Sequence, residues 1–200
     1  MTKATAQQLV AAALETLRED GFTGATSRAI ARRAGVNQAL VFYHFGSVDN
    51  LLLAALDRTS EERLAAYRDA LENVSSLGDL ATVARRLYED DLASGHMTVV
   101  SQMIAGSLAR PELAPQVVAR MDPWLQFAEE AFQRVGGDLL PAKELAYGAI
   151  TFYLGVNLLS HLDPDQERSR AVFARIDELS RLAEALLTGG LRLGGSTETL

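Results

Sequence analysis

Apolar residues recur along this chain at helical spacing, and no segment alternates as a strand would. Leu9, Val10, Ala13, Leu14 and Leu17 form the inward stripe of a first amphipathic helix, which should stop before Gly21. Phe22 follows as an apolar plug. Thr26 or Ser27 can cap a second helix running through Arg28, Ile30, Arg33 and Ala34, and Gly35-Val36-Asn37 reads as a tight turn. Residues 38–45 then place Val41 and Phe45 on one helical face and Gln38, Ala39, Tyr43 and His44 on another. A long helix over 47–74 carries Leu51, Leu52, Ala55, Leu56 and Leu64 inward, with Arg58, Glu61, Glu62, Arg63, Arg68 and Asp69 on a solvated face. Further helices are predicted over 80–93, 96–109, 113–135, 142–162 and 166–187. Pro115 suits the first turn of its helix, whereas Pro123 lies inside the same pattern and predicts a kink or a split. From Gly189 the chain turns rich in Gly, Ser and Thr. The expectation is an all-α protein: an N-terminal three-helix unit over residues 1–46, a larger helical domain over 47–188, and a flexible tail over 189–200.

Charge changes this picture only when it is divided. The net charge of −7 argues against a polyanionic partner for the chain as a whole. Residues 1–50, however, hold five basic side chains (Lys3, Arg18, Arg28, Arg32, Arg33) against four acidic ones (Glu15, Glu19, Asp20, Asp49), a net +1, and the remainder carries −8. Phosphate binding needs local positive potential rather than a basic protein. The absence of cysteine excludes disulfides and thiolate metal sites. No apolar run approaches the length of a membrane-spanning helix, and the start lacks the pattern of a signal peptide, so a cytoplasmic protein without membrane contact is expected.

Enzyme chemistry finds little support. His44, His96 and His161 are far apart and none has metal-ligand spacing. The acidic pairs Glu61-Glu62, Asp90-Asp91 and Glu129-Glu130 are helical neighbours that point in different directions and read as solvated faces. No phosphate loop or nucleophile motif occurs. No catalytic residue, metal or cofactor is expected.

The two short helices around Gly35 read as a helix-turn-helix, in which the first helix braces and the second offers its N-terminal turn to a major groove. Gly21-Phe22, Thr26-Ser27-Arg28, residues 30–36 (IARRAGV), Tyr43-His44-Phe45 and the following Leu51-Leu52 closely resemble the N-terminal domain of tetracycline-repressor (TetR) type regulators. The resemblance spans about residues 5–57. It implies a ligand-responsive transcription regulator, most often a repressor, that binds a palindromic double-stranded DNA operator as a homodimer. Ser27 and Arg28 would hold phosphate at a helix start. Gln38 would read a base edge, its amide suiting adenine. Ala39 and Leu40 would touch a thymine methyl, and Tyr43 and His44 would contact phosphate. Packing of Tyr43 and His44 on the next helix is the alternative. The chain departs from the family pattern at Val48, where Lys is usual, at Phe42, where Tyr is frequent, and at Leu40, often polar.

For the C-terminal domain the resemblance implies a small-molecule effector, largely apolar, and a four-helix dimer interface made by the last two helices. Tyr88, His96, Met103, Trp124, Phe127 and Asn157 are the effector-binding candidates, with ordinary core as the alternative. Gly148, Phe152, Gly155, Phe173, Ile176 and Leu179 are the interface candidates, again with intramolecular core as the alternative. The rival function is a helical ligand-binding or interaction protein whose DNA-binding unit has decayed.

Overall fold

The computed structural model describes residues 2–160, 162, 163 and 165–193; His161 and residues 194–200 of the expected tail lie outside them. The described elements are helical throughout: α1 (Thr2–Glu19), α2 (Gly21–Gly24), α3 (Ser27–Ala34), α4 (Ala39–Phe45), α5 (Val48–Leu71), α6 (Leu77–Ser94), α7 (His96–Ala109), α8 (Ala114–Ala119), α9 (Asp122–Gly136), a single 3₁₀ turn (Gly137–Leu139), α10 (Ala142–Ser160) and α11 (Glu167–Leu193).

Punctuation in the sequence sets these bounds. Gly21 and Gly46, with φ of +70° and +75°, end α1 and α4 in a backbone region that costs other residues energy. Residues 113–135 form two helices rather than one. Pro115 sits in the first turn of α8, and Pro123 in the first turn of α9, so the split alternative holds. The long helix stops at Leu71, three residues early, where Arg134 donates to the Leu71 carbonyl at 2.9 Å. Ser76 caps α6 by accepting the Asp79 N–H at 3.0 Å. The Asp79 carboxylate accepts from Ser75, first through its backbone N–H, and this holds Asp79 below the usual carboxylate range. α11 continues through Gly189 and Gly190 to Leu193, where the composition suggested a tail.

Two compact units result: Met1–Ala66 with Asp91–Trp124, and Tyr67–Asp90 with Leu125–Leu200. In the first, Leu9, Leu17, Ile30, Val41, Leu51, Leu52, Val99, Met103 and Leu113 are fully buried in one cluster. The helix-turn-helix therefore shares its core with α7 and α8. Each such side chain contributes about 1.5–3 kcal/mol through burial.

The contact of α7 with α2 depends on one glycine. A Cβ on Gly106 would stand 2.3 Å from the Phe22 ring, so only glycine lets the ring lie against the helix. Gln102 Oε1 accepts the Phe22 N–H at 2.9 Å, and the Arg110 guanidinium lies 5.0 Å from the ring centroid. Arg110 also pairs with Asp49 near the start of α5 at 2.5 Å.

Two expected surface charges lie inside this unit. Asp91 is 1% exposed and pairs with Arg63 at 2.5 Å. Beside them Thr59 Oγ1 and His96 Nδ1 are 3.0 Å apart, and the His96 ring lies 5.9 Å from that of Trp124. Burial pushes His96 down to about 4; the charges of Arg63 and Arg18 add to this, and that of Asp91 opposes it.

The second unit has two interior patches. Leu71, Val74 and Ala131 pack with Leu80, Val83, Phe127 and Val135. Elsewhere the Tyr88 ring lies 4.7 Å from Phe173 and meets Tyr153 edge-on at 6.5 Å. Its hydroxyl bonds Ser160, which in turn is 2.9 Å from Ser169. Tyr67 and Tyr153 bring their hydroxyls to 3.4 Å.

Candidate nucleic-acid interface

The candidate interface is assembled by three local stops. Thr26 caps α3 by accepting the Ala29 N–H at 3.2 Å, which resolves the choice between Thr26 and Ser27. Gly35, at φ +67°, ends α3 in the left-handed region, and Val36 donates back to the Ala31 carbonyl at 3.0 Å. Asn37 Oδ1 then accepts the Ala39 N–H at 2.8 Å and starts α4. Beyond α4, Ser47 accepts the Asn50 N–H, and the Asn50 amide donates to the Phe45 carbonyl at 2.8 Å. Both helix ends of α4 are thereby fixed.

On α4, Val41 is buried and Phe45 packs on the core, as the pattern predicts. Gln38, Ala39, Phe42 and Tyr43 form the exposed stripe, with Phe42 at 48% and Tyr43 at 73%. His44 is half-buried and meets the Tyr43 ring edge-on at 5.0 Å. Leu40 departs from expectation. It packs partly against the core, so Ala39 alone of that pair is exposed. Phe42, counted only as a missing hydroxyl, joins the exposed face instead. Ser27 begins α3 and accepts from Gln38 Nε2 at 2.7 Å, so two expected contacts on different helices touch each other.

The electrostatics are cleaner than the net charge suggests. Arg33 faces Glu19 at 2.7 Å, Asp20 at 3.2 Å and Glu15 at 3.8 Å, and Asp49 pairs with Arg110. All four acidic side chains of the first fifty residues are thus engaged away from Arg28 and Arg32, which are exposed. Val48, where a cation was expected to be missing, is half-buried against the core.

The effector candidates divide between the two units. His96, Met103 and Trp124 belong to the first unit, and Tyr88, Phe127 and Asn157 to the second. Met103 is fully buried in the cluster beneath the helix-turn-helix, so it is core. Asn157 is buried and donates from Nδ2 to the Tyr153 carbonyl at 2.9 Å. Phe127 tilts against Tyr67 with centroids 6.2 Å apart. A shallow depression of about 510 Å³ on α9, lined by Gln126, Glu129, Glu130, Gln133 and Arg134, includes none of the six.

The interface candidates divide similarly. Gly148 and Gly155 have open space where a Cβ would stand, and on the same stripe of α10 Phe152 and Leu159 are exposed. Ile176 is half-buried and Leu179 is 62% exposed. Phe173 must be corrected. It is 2% exposed and packs on Tyr88 and Phe152 of its own chain, which leaves it no surface for a partner. No single helix among the described residues is long and apolar enough to cross a membrane.

Among the described residues the elements are all helical, and the N-terminal unit is a capped helix-turn-helix with an exposed aromatic stripe and two exposed arginines, Arg28 and Arg32, the arrangement found in helix-turn-helix nucleic-acid readers. Residues 9–55 match the family model described as bacterial regulatory proteins, tetR family. Through these residues the chain is similar to the N-terminal domain of that family. It is 34% identical over 113 residues to the HTH-type transcriptional regulator BetI of Stenotrophomonas maltophilia, covering 54% of this chain and 57% of that protein. The chain spans about half the length of the curated relatives it matches, 57% and 50% for two BetI proteins. Among solved structures it resembles the fatty acid degradation regulator FadR of Bacillus halodurans, with a TM-score of 0.71, 15% identity and coverage of 94% and 96% of the two chains. A TetR transcriptional regulator from Legionella pneumophila gives 0.71 at 19% identity, covering 86% of this chain and 95% of that one. At these identities the solved structures speak for the fold.

Proposed function

We propose that this chain is a cytoplasmic, homodimeric transcription repressor that reads a palindromic operator and releases it on binding a small molecule. The carrying observation is the exposed stripe of Gln38, Ala39, Phe42 and Tyr43, set on a helix capped at both ends and flanked by Ser27, Arg28 and Arg32. In this reading Gln38 meets a base edge and Ala39 a thymine methyl. Ser27, Arg28, Tyr43 and His44 meet phosphate, and residues 1–46 act as the DNA-binding part. Intact caps and a core shared with α7 favour this reading over a decayed DNA-binding unit.

Residues 47–188 would serve effector binding and dimerisation. The exposed stripe of Gly148, Phe152, Gly155 and Leu159 on α10, with Leu179 and Leu182 on α11, supports a second copy there. Tyr67, Tyr88, Tyr153, Asn157 and Ser160 offer hydroxyls and an amide without formal charge among aromatic rings. That chemistry suits a largely apolar effector with one or two hydrogen-bonding groups. The effector would favour a position of α5 in which the paired recognition helices no longer match two successive grooves.

The test titrates duplex fragments from around the chain's own gene at two salt concentrations. Saturable binding to one fragment at concentrations that leave unrelated DNA free is expected, with affinity falling as salt rises. Equal affinity for every fragment would contradict the operator reading.

A further inference from the structure

We propose that Ser27 sets the orientation of the Gln38 amide and so takes part in choosing the base read at that position. The inference rests on the reading of Gln38 as the base-contacting residue and goes beyond it, since Ser27 was otherwise assigned only to phosphate.

Three observations carry it. Gln38 Nε2 donates to Ser27 Oγ at 2.7 Å, across the joint between the start of α3 and the start of α4. The Ser27 hydroxyl is available for this because Thr26, not Ser27, caps α3 through the Ala29 N–H. Gln38 itself makes no cap bond, and Asn37 supplies the bond that starts α4. Each of the two side chains is thus spared the local duty its position invites.

The chemistry that remains is complementary to one base edge. An amide nitrogen carries two hydrogens, and Ser27 takes one of them. The second hydrogen and the Oε1 lone pairs are what adenine requires, one donor for N7 and one acceptor for the N6 amino group. Because Ser27 Oγ accepts from Nε2, its own hydrogen is directed elsewhere and can be donated to a phosphate oxygen. Base, Gln38, Ser27 and phosphate would then form one chain of hydrogen bonds, each polarising the next. A long exposed glutamine without such a partner would sample both amide orientations, and the flipped one presents the wrong pattern.

Full-length Ser27→Ala, Gln38→Ala, the double variant and Ser27→Thr would be titrated against a duplex selected from a random-sequence library by the parent chain, and against copies changed at each half-site position. Ser27→Ala is expected to lose discrimination at the same position as Gln38→Ala, by several-fold to about tenfold. The double variant should discriminate no worse than Gln38→Ala, and Ser27→Thr, which keeps the hydroxyl, should restore the preference. A uniform loss of affinity for Ser27→Ala, with discrimination intact while Gln38→Ala abolishes it, would overturn the proposal and leave Ser27 as a phosphate contact. Unchanged base preference in Gln38→Ala would instead remove the base-reading assignment beneath it.

Discussion

Arg33 stands among Glu15, Glu19 and Asp20 and therefore ties the joint between α1 and α3, whereas Arg28 and Arg32 are exposed beside the reading stripe. Three arginines within six positions thus carry different duties. Arg28→Ala and Tyr43→Ala should weaken binding by a similar factor on all DNA sequences. Arg28→Ala should also lower the slope of log K against log salt by about 0.9, read from titrations at several salt concentrations. Val48→Lys should do the reverse and steepen the slope by up to about one, since a lysine stem can keep most of the valine packing. His96 gives a prediction in pH. Its folded value, about 4, lies below the ordinary 6.5, so the unfolded chain binds the extra proton between those values. Stability from keeping His96 neutral is complete above about pH 6.5 and is lost as pH falls toward 4, by up to about 3 kcal/mol. His96→Gln should flatten the fall in melting temperature between pH 7 and pH 5, and an unchanged fall would place the sensitivity elsewhere.

At the scale of elements, α7 is the support whose importance the local pattern could not reveal. Phe22 and Gln102 are 80 positions apart, and nothing near Gly106 announces that a ring must lie on it. Gly106→Ala should lower stability by about 1–3 kcal/mol through overpacking and weaken DNA binding, although α7 carries none of the residues assigned to DNA. Thermal melts and DNA titration of the same variant check both effects. The helix-turn-helix itself was legible because its signals are local: Thr26, Gly35 and Asn37 each act within five residues, and Val41 follows from period alone. The same locality explains the split at Pro123. Arg63 and Asp91 failed as solvated charges because their partnership joins α5 to α6 across the chain, and a helical wheel shows each only as polar. Phe173 failed similarly, for an apolar stripe does not say whether its cover is intramolecular.

For the whole molecule, operator reading as proposed requires two copies, because one recognition helix makes too few contacts for a specific operator. Gly155→Arg and Leu179→Arg place a charge on faces that are open in the single chain, so each should yield a folded monomer with little operator affinity by sedimentation and titration. Phe173→Asp should instead unfold the aromatic cluster around Tyr88, without a folded monomer. The most direct test of the central claim is selection of duplexes from a random-sequence library by the full-length chain. Enrichment of an inverted repeat is expected, with half-sites centred about 34–36 Å apart, one helical turn, and with loss of that enrichment in Tyr43→Ala. Recovery of unenriched random sequence by the folded, dimeric chain would contradict it.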